Sequence, residues 1–223
     1  MLERPLIPLD GSPSAEEALE AFAPILLRRG SRPILLGLVP DPAYPETVAR
    51  RLAARGLPAL ARVGAGPPES ALPAVADEED ASLLLFLGID PDARAARRVT
   101  ARTLHSVAWF PPEWIRARPA ADRILAATSG DWARMQEGVG ELARAFGARV
   151  LVAGPNPAEL SAAAEDLMDL RIPVETRRLA APSARAVFEI CRERPPDLLV
   201  AGDALALDVL GRTRLPVAIA RRP

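Results

Sequence analysis

Lysine is absent: all 28 basic residues are arginine. Asn156, Gln136, His105 and Cys191 are each the sole residue of their type. One thiol cannot close an internal disulfide, and no group of Cys and His has metal-ligand spacing, so a disulfide staple and a zinc site are both excluded. Long hydrophobic runs are missing too. The longest dense one, Leu83 to Leu87, falls far short of the ~20 residues of a membrane span. Met1 to Asp10 carries Glu3 and Arg4 in place of the apolar core of a signal peptide. A soluble cytoplasmic protein with no membrane partner is expected. With 29 acidic residues the net charge is -1, which leaves no global field to draw in nucleic acid. Hyperthermophiles enrich lysine, so the Arg, Ala and Pro bias is better explained by GC-rich coding.

What is present is a chain able to fold. Of 223 residues, 49% are apolar, and 24 prolines and 14 glycines together stay below the ~25–30% of low-complexity chains. Short apolar runs alternate with helical stretches, the pattern of βα units that build a parallel sheet. The pattern runs twice. Strands are expected at Leu6 to Leu9, Ile34 to Val39, Ala59 to Val63, Leu83 to Leu87 and Val107 to Phe110. They recur at Ile124 to Thr128, Val150 to Ala153, Val174 to Leu179, Leu198 to Ala201 and Val217 to Ala220.

The pairs Leu9 and Thr128, Pro58 and Pro173, Gly88 and Gly202, and Val107 and Val217 keep their order at separations drifting from 119 to 110 residues. Duplication followed by loop deletion leaves such a drift. Helices correspond as well, Ser14 to Arg29 with Trp132 to Phe146, and Glu69 to Glu79 with Ser183 to Arg194. In the first, Ala18, Phe22, Ile25 and Leu26 mark one buried face. Pro111, Pro112 and Pro119 bracket an expected linker, so the domains are 1–117 and 118–223. The fold class is two tandem three-layer α/β/α domains, each with a five-stranded parallel sheet.

Leu6-Ile7-Pro8-Leu9-Asp10-Gly11-Ser12, followed by a long amphipathic helix, resembles the first strand and turn of the universal stress protein family. The resemblance covers both halves in outline and is specific near Asp10, Gly88 and Gly202. It implies ATP held between the first turn (Leu9, Asp10, Gly11, Ser12), the end of the second strand (Val39), and a Gly-x2-Gly-x9-Gly-Ser/Thr loop after the fourth strand, beginning at Gly88. It also implies an internal pseudo-dimer of the halves through their fifth strands, with a homodimer as a further partner.

The loops depart from that pattern. Counting from Gly88, the second glycine falls on Pro91 and the last two positions on Ala101 and Arg102, and proline removes an N–H donor. In the second half the turn reads Thr128-Ser129-Gly130-Asp131, and thirteen residues separate Gly202 from Pro216, too few for the loop. ATP binding is therefore expected to be weak or lost, and the function that of a non-catalytic, stress-associated regulatory or binding protein. Slow ATP hydrolysis or nucleotidyl transfer at the first-half site, and a ligand-free scaffold, stay open as alternatives.

Each candidate has a plainer reading. Asp10-Gly11-Ser12 is either a ligand turn or a strand-to-helix turn with Ser12 or Ser14 as cap. Gly88 and Gly202 sit where open α/β sheets bind ligands, or merely allow a sharp exit. Arg94, Arg97, Arg98 and Arg102 share one helix face after Asp90-Pro91-Asp92, either a solvated stripe or, chiefly through Arg94 and Arg98, an anion clamp replacing the lost backbone donors. His105 lacks a nucleophile and carboxylate pattern, and Cys191 reads as core. Trp109, Phe110 and Trp114 are expected to cover an interface.

Overall fold

A computed structural model describes residues 1–89, 93–117, 121–210 and 212–221. The chain divides into two compact units, Met1–Pro119 and Ala120–Arg222. The first runs β1 (Pro5–Leu9), α1 (Pro13–Arg28), β2 (Ile34–Gly37), α2 (Tyr44–Ala53), β3 (Leu60–Val63), α3 (Pro68–Glu78), β4 (Leu83–Leu87), α4 (Ala93–Arg102), β5 (Ser106–Phe110) and α5 (Pro112–Ala117). The second runs β6 (Arg123–Ala127), α6 (Trp132–Phe146), β7 (Arg149–Gly154), α7 (Pro157–Asp169), β8 (Val174–Arg178), α8 (Ala184–Glu193), β9 (Leu198–Ala201), α9 (Asp203–Val209) and β10 (Val217–Ile219).

In the first unit the strands lie in the order β3-β2-β1-β4-β5, in the second β8-β7-β6-β9-β10, and every described pair within a unit is parallel. This is the expected fold class. Strands covered on both faces read as unbroken apolar runs rather than alternating ones. Leu83–Leu87 is the clearest, buried throughout. The outermost β8, Val-Glu-Thr-Arg-Arg, is charged and largely exposed, as an edge strand that resists pairing should be.

Right-handed crossovers put α1 and α2 on one face, tied by the ion pairs Glu16–Arg51 and Glu20–Arg55, and α3 and α4 on the other, tied by Arg98–Glu69. Helix α1 starts where Ser12 Oγ accepts the Ala15 N–H at 3.2 Å and Pro13 fills the first position. Its buried residues include Ala18, Leu19, Phe22, Ile25 and Leu26, the expected stripe. Asn156 and Ser183 cap α7 and α8 in the same way, and α6 stops at Gly147 in the left-handed region.

Two elements differ from the sequence expectation. The stretch taken as a linker contains α5, and its Trp114 ring lies 4.9 Å from Phe110, which in turn lies 5.1 Å from Phe22. Proline at the first position of a helix is favourable rather than disruptive, so Pro112 opens α5. Helix α9 likewise fills part of the loop after Gly202. Trp109 stacks on Phe86 at 5.3 Å, so all three aromatics named as interface residues have ring or core partners inside the first unit. No described helix is long and apolar enough to cross a membrane.

Candidate functional site

In each unit the strand order reverses direction beside the first strand, between β1 and β4 and between β6 and β9. The crevice at the carboxyl end of such a switch point is where open α/β sheets bind ligands. In the first unit Leu9 is buried, and its carbonyl accepts the Leu38 N–H at 2.9 Å. Asp10 is exposed and its Oδ1 accepts the Ser12 N–H at 2.9 Å, an Asx turn. Gly11 has φ +76°, and a Cβ there would stand 2.9 Å from Val39 Cγ1. The turn thus requires glycine twice over, for its backbone and for the approach of Val39.

Gly88 closes the crevice from β4. Its N–H is donated to the Phe110 carbonyl at 2.9 Å, its φ is +66°, and a Cβ would lie 2.3 Å from the Ser14 carbonyl oxygen. Leu9, Asp10, Gly11, Ser12, Val39 and Gly88 therefore gather at one sheet edge. The arginines do not join them as a group. Arg98 is half-exposed and pairs with Glu69 at 3.4 Å, and Arg102 reaches the Glu69 carbonyl at 3.5 Å. Residues 90–92, with Pro91, and the side chains of Arg94 and Arg97 lie outside the described residues.

Sequence reasoning missed a group at the mouth of this crevice. Tyr44, the chain's sole tyrosine, opens α2 and donates to Glu16 Oε1 at 2.8 Å, while Arg51 pairs with the other Glu16 oxygen. Arg51 holds the Glu16 carboxyl below its ordinary range. Burial, with the bond to Glu16 and that carboxylate's charge, pushes the Tyr44 phenol up to about 12, and Asp10 adds to the effect. A tyrosine just after the second strand was the available signal, but its partners lie 28 and 7 residues away on the chain.

The second unit fills the same place with its own carboxylates. Asp131 Oδ1 accepts the Ser129 N–H at 2.9 Å and lies 3.1 Å from the Thr128 hydroxyl, whose one proton it shares with Glu159. Its Oδ2 lies where a Cβ on Gly202 would stand, 2.0 Å from that position. Glu159 Oε1 accepts the Thr128 hydroxyl at 2.8 Å and the Trp132 N–H at 2.6 Å, while its buried Oε2 has no hydrogen-bond partner among the described residues. Asp203, first residue of α9, is gripped by Arg221 through both oxygens at 2.9 and 2.7 Å. Carboxylates thus occupy the N-termini of both α6 and α9, where an anion would otherwise have been favoured.

The remaining candidates have structural partners. His105 Nε2 lies 2.9 Å from Asp77 Oδ1. Cys191 is half-buried, and burial raises its thiol pKa, which disfavours the reactive thiolate. Among the described residues no group of His, Cys, Asp and Glu could hold a metal ion.

No family model matches the sequence, and no curated protein does. Among solved structures, a universal stress protein from Archaeoglobus fulgidus DSM 4304 superposes over 100% of this chain and 97% of its own, with a TM-score of 0.74 and 16% identity. A universal stress protein in complex with cAMP matches 47% of this chain and 93% of its own at 25% identity and a TM-score of 0.39. One from Burkholderia pseudomallei matches 46% and 92% at 22% identity and a TM-score of 0.37. The full-length superposition gives this chain the tandem universal stress protein fold.

Proposed function

We propose that the chain is a non-catalytic regulatory or binding protein of universal stress protein type, in which the first unit holds ATP weakly and the second not at all. The observation that carries this reading is Asp131 lodged against Gly202. A phosphate arriving there would meet a fixed carboxylate, with Glu159 and Asp203 nearby, and like charges in a partly buried crevice disfavour binding by several-fold to many-fold. In the first unit the Gly88 N–H already serves Phe110, so one backbone donor that a phosphate loop would use is committed.

Titration calorimetry with Mg-ATP on the whole chain tests the proposal, together with a search for nucleotide released from the denatured protein. Affinity in the micromolar range or tighter at the second unit would overturn it. A second reading, slow hydrolysis or nucleotidyl transfer at the first unit, is favoured by one detail. Asp10 is exposed and uses only Oδ1 in the turn, so its other oxygen can meet a nucleoside. Turnover of ATP above background would promote that reading, whereas no nucleotide at either unit would leave an interaction scaffold.

The pseudo-dimer belongs to the same proposal. In each unit the fifth strand, β5 or β10, takes the end place in its own sheet and carries apolar residues on both faces. Apolar edge strands of that kind invite pairing, which supports association through these two strands.

A further inference from the structure

At the amino end of the second unit's sheet, opposite the turns, lies a cleft of about 600 Å³ bounded by the starts of β6, β7 and β8 and the end of α8. Its cause is topological. On this face the ten-residue α8 alone crosses from β8 over β7 and β6, while two helices, α6 and α7, cover the other face. One such helix, about 15 Å long, leaves the amino ends of three strands partly bare. Strand alternation sets Arg123 and Leu125 on the same face as their register neighbours Arg149 and Leu151, and Ile190 lines the cleft from α8.

Arg123 and Arg149 are exposed neighbours in register, an arrangement of like charges that is unfavourable by itself. Among the described residues neither guanidinium has a carboxylate partner, although Arg177 and Arg194 beside them pair with Glu193 and Glu175. The first unit resolves the same situation internally. There Arg4, 119 residues before Arg123, donates to Glu79 Oε2 at 2.8 Å, and Arg62 holds Oε1 at 2.6 Å. Glu79 is buried. In the second unit the corresponding Glu193 gives both oxygens to Arg177, the counterpart of Arg62, and Arg123 receives none.

From this we infer that the second unit's cleft binds a small organic carboxylate with an apolar body. The carboxylate takes the forked donors of Arg123 and Arg149, in the role that Glu79 plays for Arg4. The body lies on the half-buried Leu151, with Leu125 and Ile190 buried beneath it as the floor. The volume falls in the ~300–1,000 Å³ range of small-molecule sites. The site is at the opposite sheet edge from the nucleotide crevice and does not depend on the reading of that crevice.

Octanoate is the probe, titrated against the whole chain while the methyl signals of Leu125, Leu151 and Ile190 are followed by NMR. Saturable binding is expected that shifts those methyls, is unaffected by Mg-ATP, and is at least about tenfold tighter than that of 1-octanol. The double variant R123Q/R149Q should bind octanoate at least about tenfold more weakly with a melting temperature unchanged or slightly raised, both side chains being exposed and their mutual repulsion removed. Failure to saturate by about 10 mM, equal affinity for 1-octanol, or full binding by the double variant would each overturn the inference.

Discussion

Asp131 and Gly202 touch so closely that a methyl group on the glycine would overlap the carboxylate, with 2.0 Å between its Cβ and Asp131 Oδ2. Gly202→Ala must therefore swing Asp131 out of its bonds to Thr128 and Ser129, at a cost of about 1–3 kcal/mol. Gly88→Ala is expected to cost more, about 3 kcal/mol or above, because it strikes the Ser14 backbone carbonyl and also imposes a strained positive φ. Urea denaturation of the two variants checks the order, and equal losses would contradict it.

The two turns should respond differently to loss of charge. Asp10→Asn is expected to weaken whatever Mg-ATP binding the whole chain shows by about 1–3 kcal/mol, whereas Asp131→Asn, which removes a repulsive charge, should leave it unchanged or strengthen it slightly. Calorimetric titration of both variants reads this directly, and the reverse order would place the nucleotide in the second unit.

If the arginine stripe supplies an anion contact, Arg98 must exchange Glu69 for the ligand. Arg94→Gln with Arg98→Gln should then weaken phosphate or nucleotide binding by about 1–3 kcal/mol and scarcely move the melting temperature. Glu69→Gln, by releasing Arg98 from an exposed pair worth under about 1 kcal/mol, should strengthen binding slightly. Unchanged binding in both variants returns the stripe to the α3–α4 surface.

The Tyr44–Glu16–Arg51 group predicts a stability profile with two shoulders. The Tyr44 phenol is raised from an ordinary value near 10 to about 12, so its contribution is complete below pH 10 and is lost as pH climbs through 12. Glu16 is lowered by Arg51. Its contribution is complete above its ordinary value of 4.5 and is lost as pH falls through the lowered one. Tyr44→Phe should cost about 1 kcal/mol at neutral pH and reduce the alkaline loss. Denaturation curves from pH 3 to 12 decide, and an identical alkaline limb in the variant would refute the assignment.

Association through the fifth strands predicts that backbone amides of both β5 and β10 resist hydrogen exchange in the whole chain as strongly as those of β1 and β6. Exchange of Ala108 and Ala218 on the timescale of surface amides would reject it.

The fold was legible because apolar runs such as Leu83–Leu87 recur in order, and buried parallel strands announce themselves by composition alone. The turns were legible as well, down to the two-place shift of the acidic residue from Asp10 to Asp131. What escaped the sequence was pairing at a distance. Glu79 meets Arg4 from 75 residues away and Arg62 from 17, and no local spacing records such contacts. Nor does spacing reveal that Asp131 would turn inward onto Gly202, since that depends on how closely β9 passes the start of α6. Helices α5 and α9 were missed because prolines and short length outweigh a weak apolar period.

The ion pairs that close the third crossover carry an internal chronology. Arg62 meets Glu79 in one copy, and Arg177 meets Glu193 in the other, at separations of 115 and 114 residues. A bond present in both copies is most simply an inheritance from the single-unit ancestor, older than the doubling of the gene. The second grip on Glu79 by Arg4, the Tyr44 group and the inward carboxylate of Asp131 exist in one copy each, and so mark where the two copies differ. Read in that order, the ancestor's frame survives in the third crossover, and its individual history is written at the two ends of each sheet.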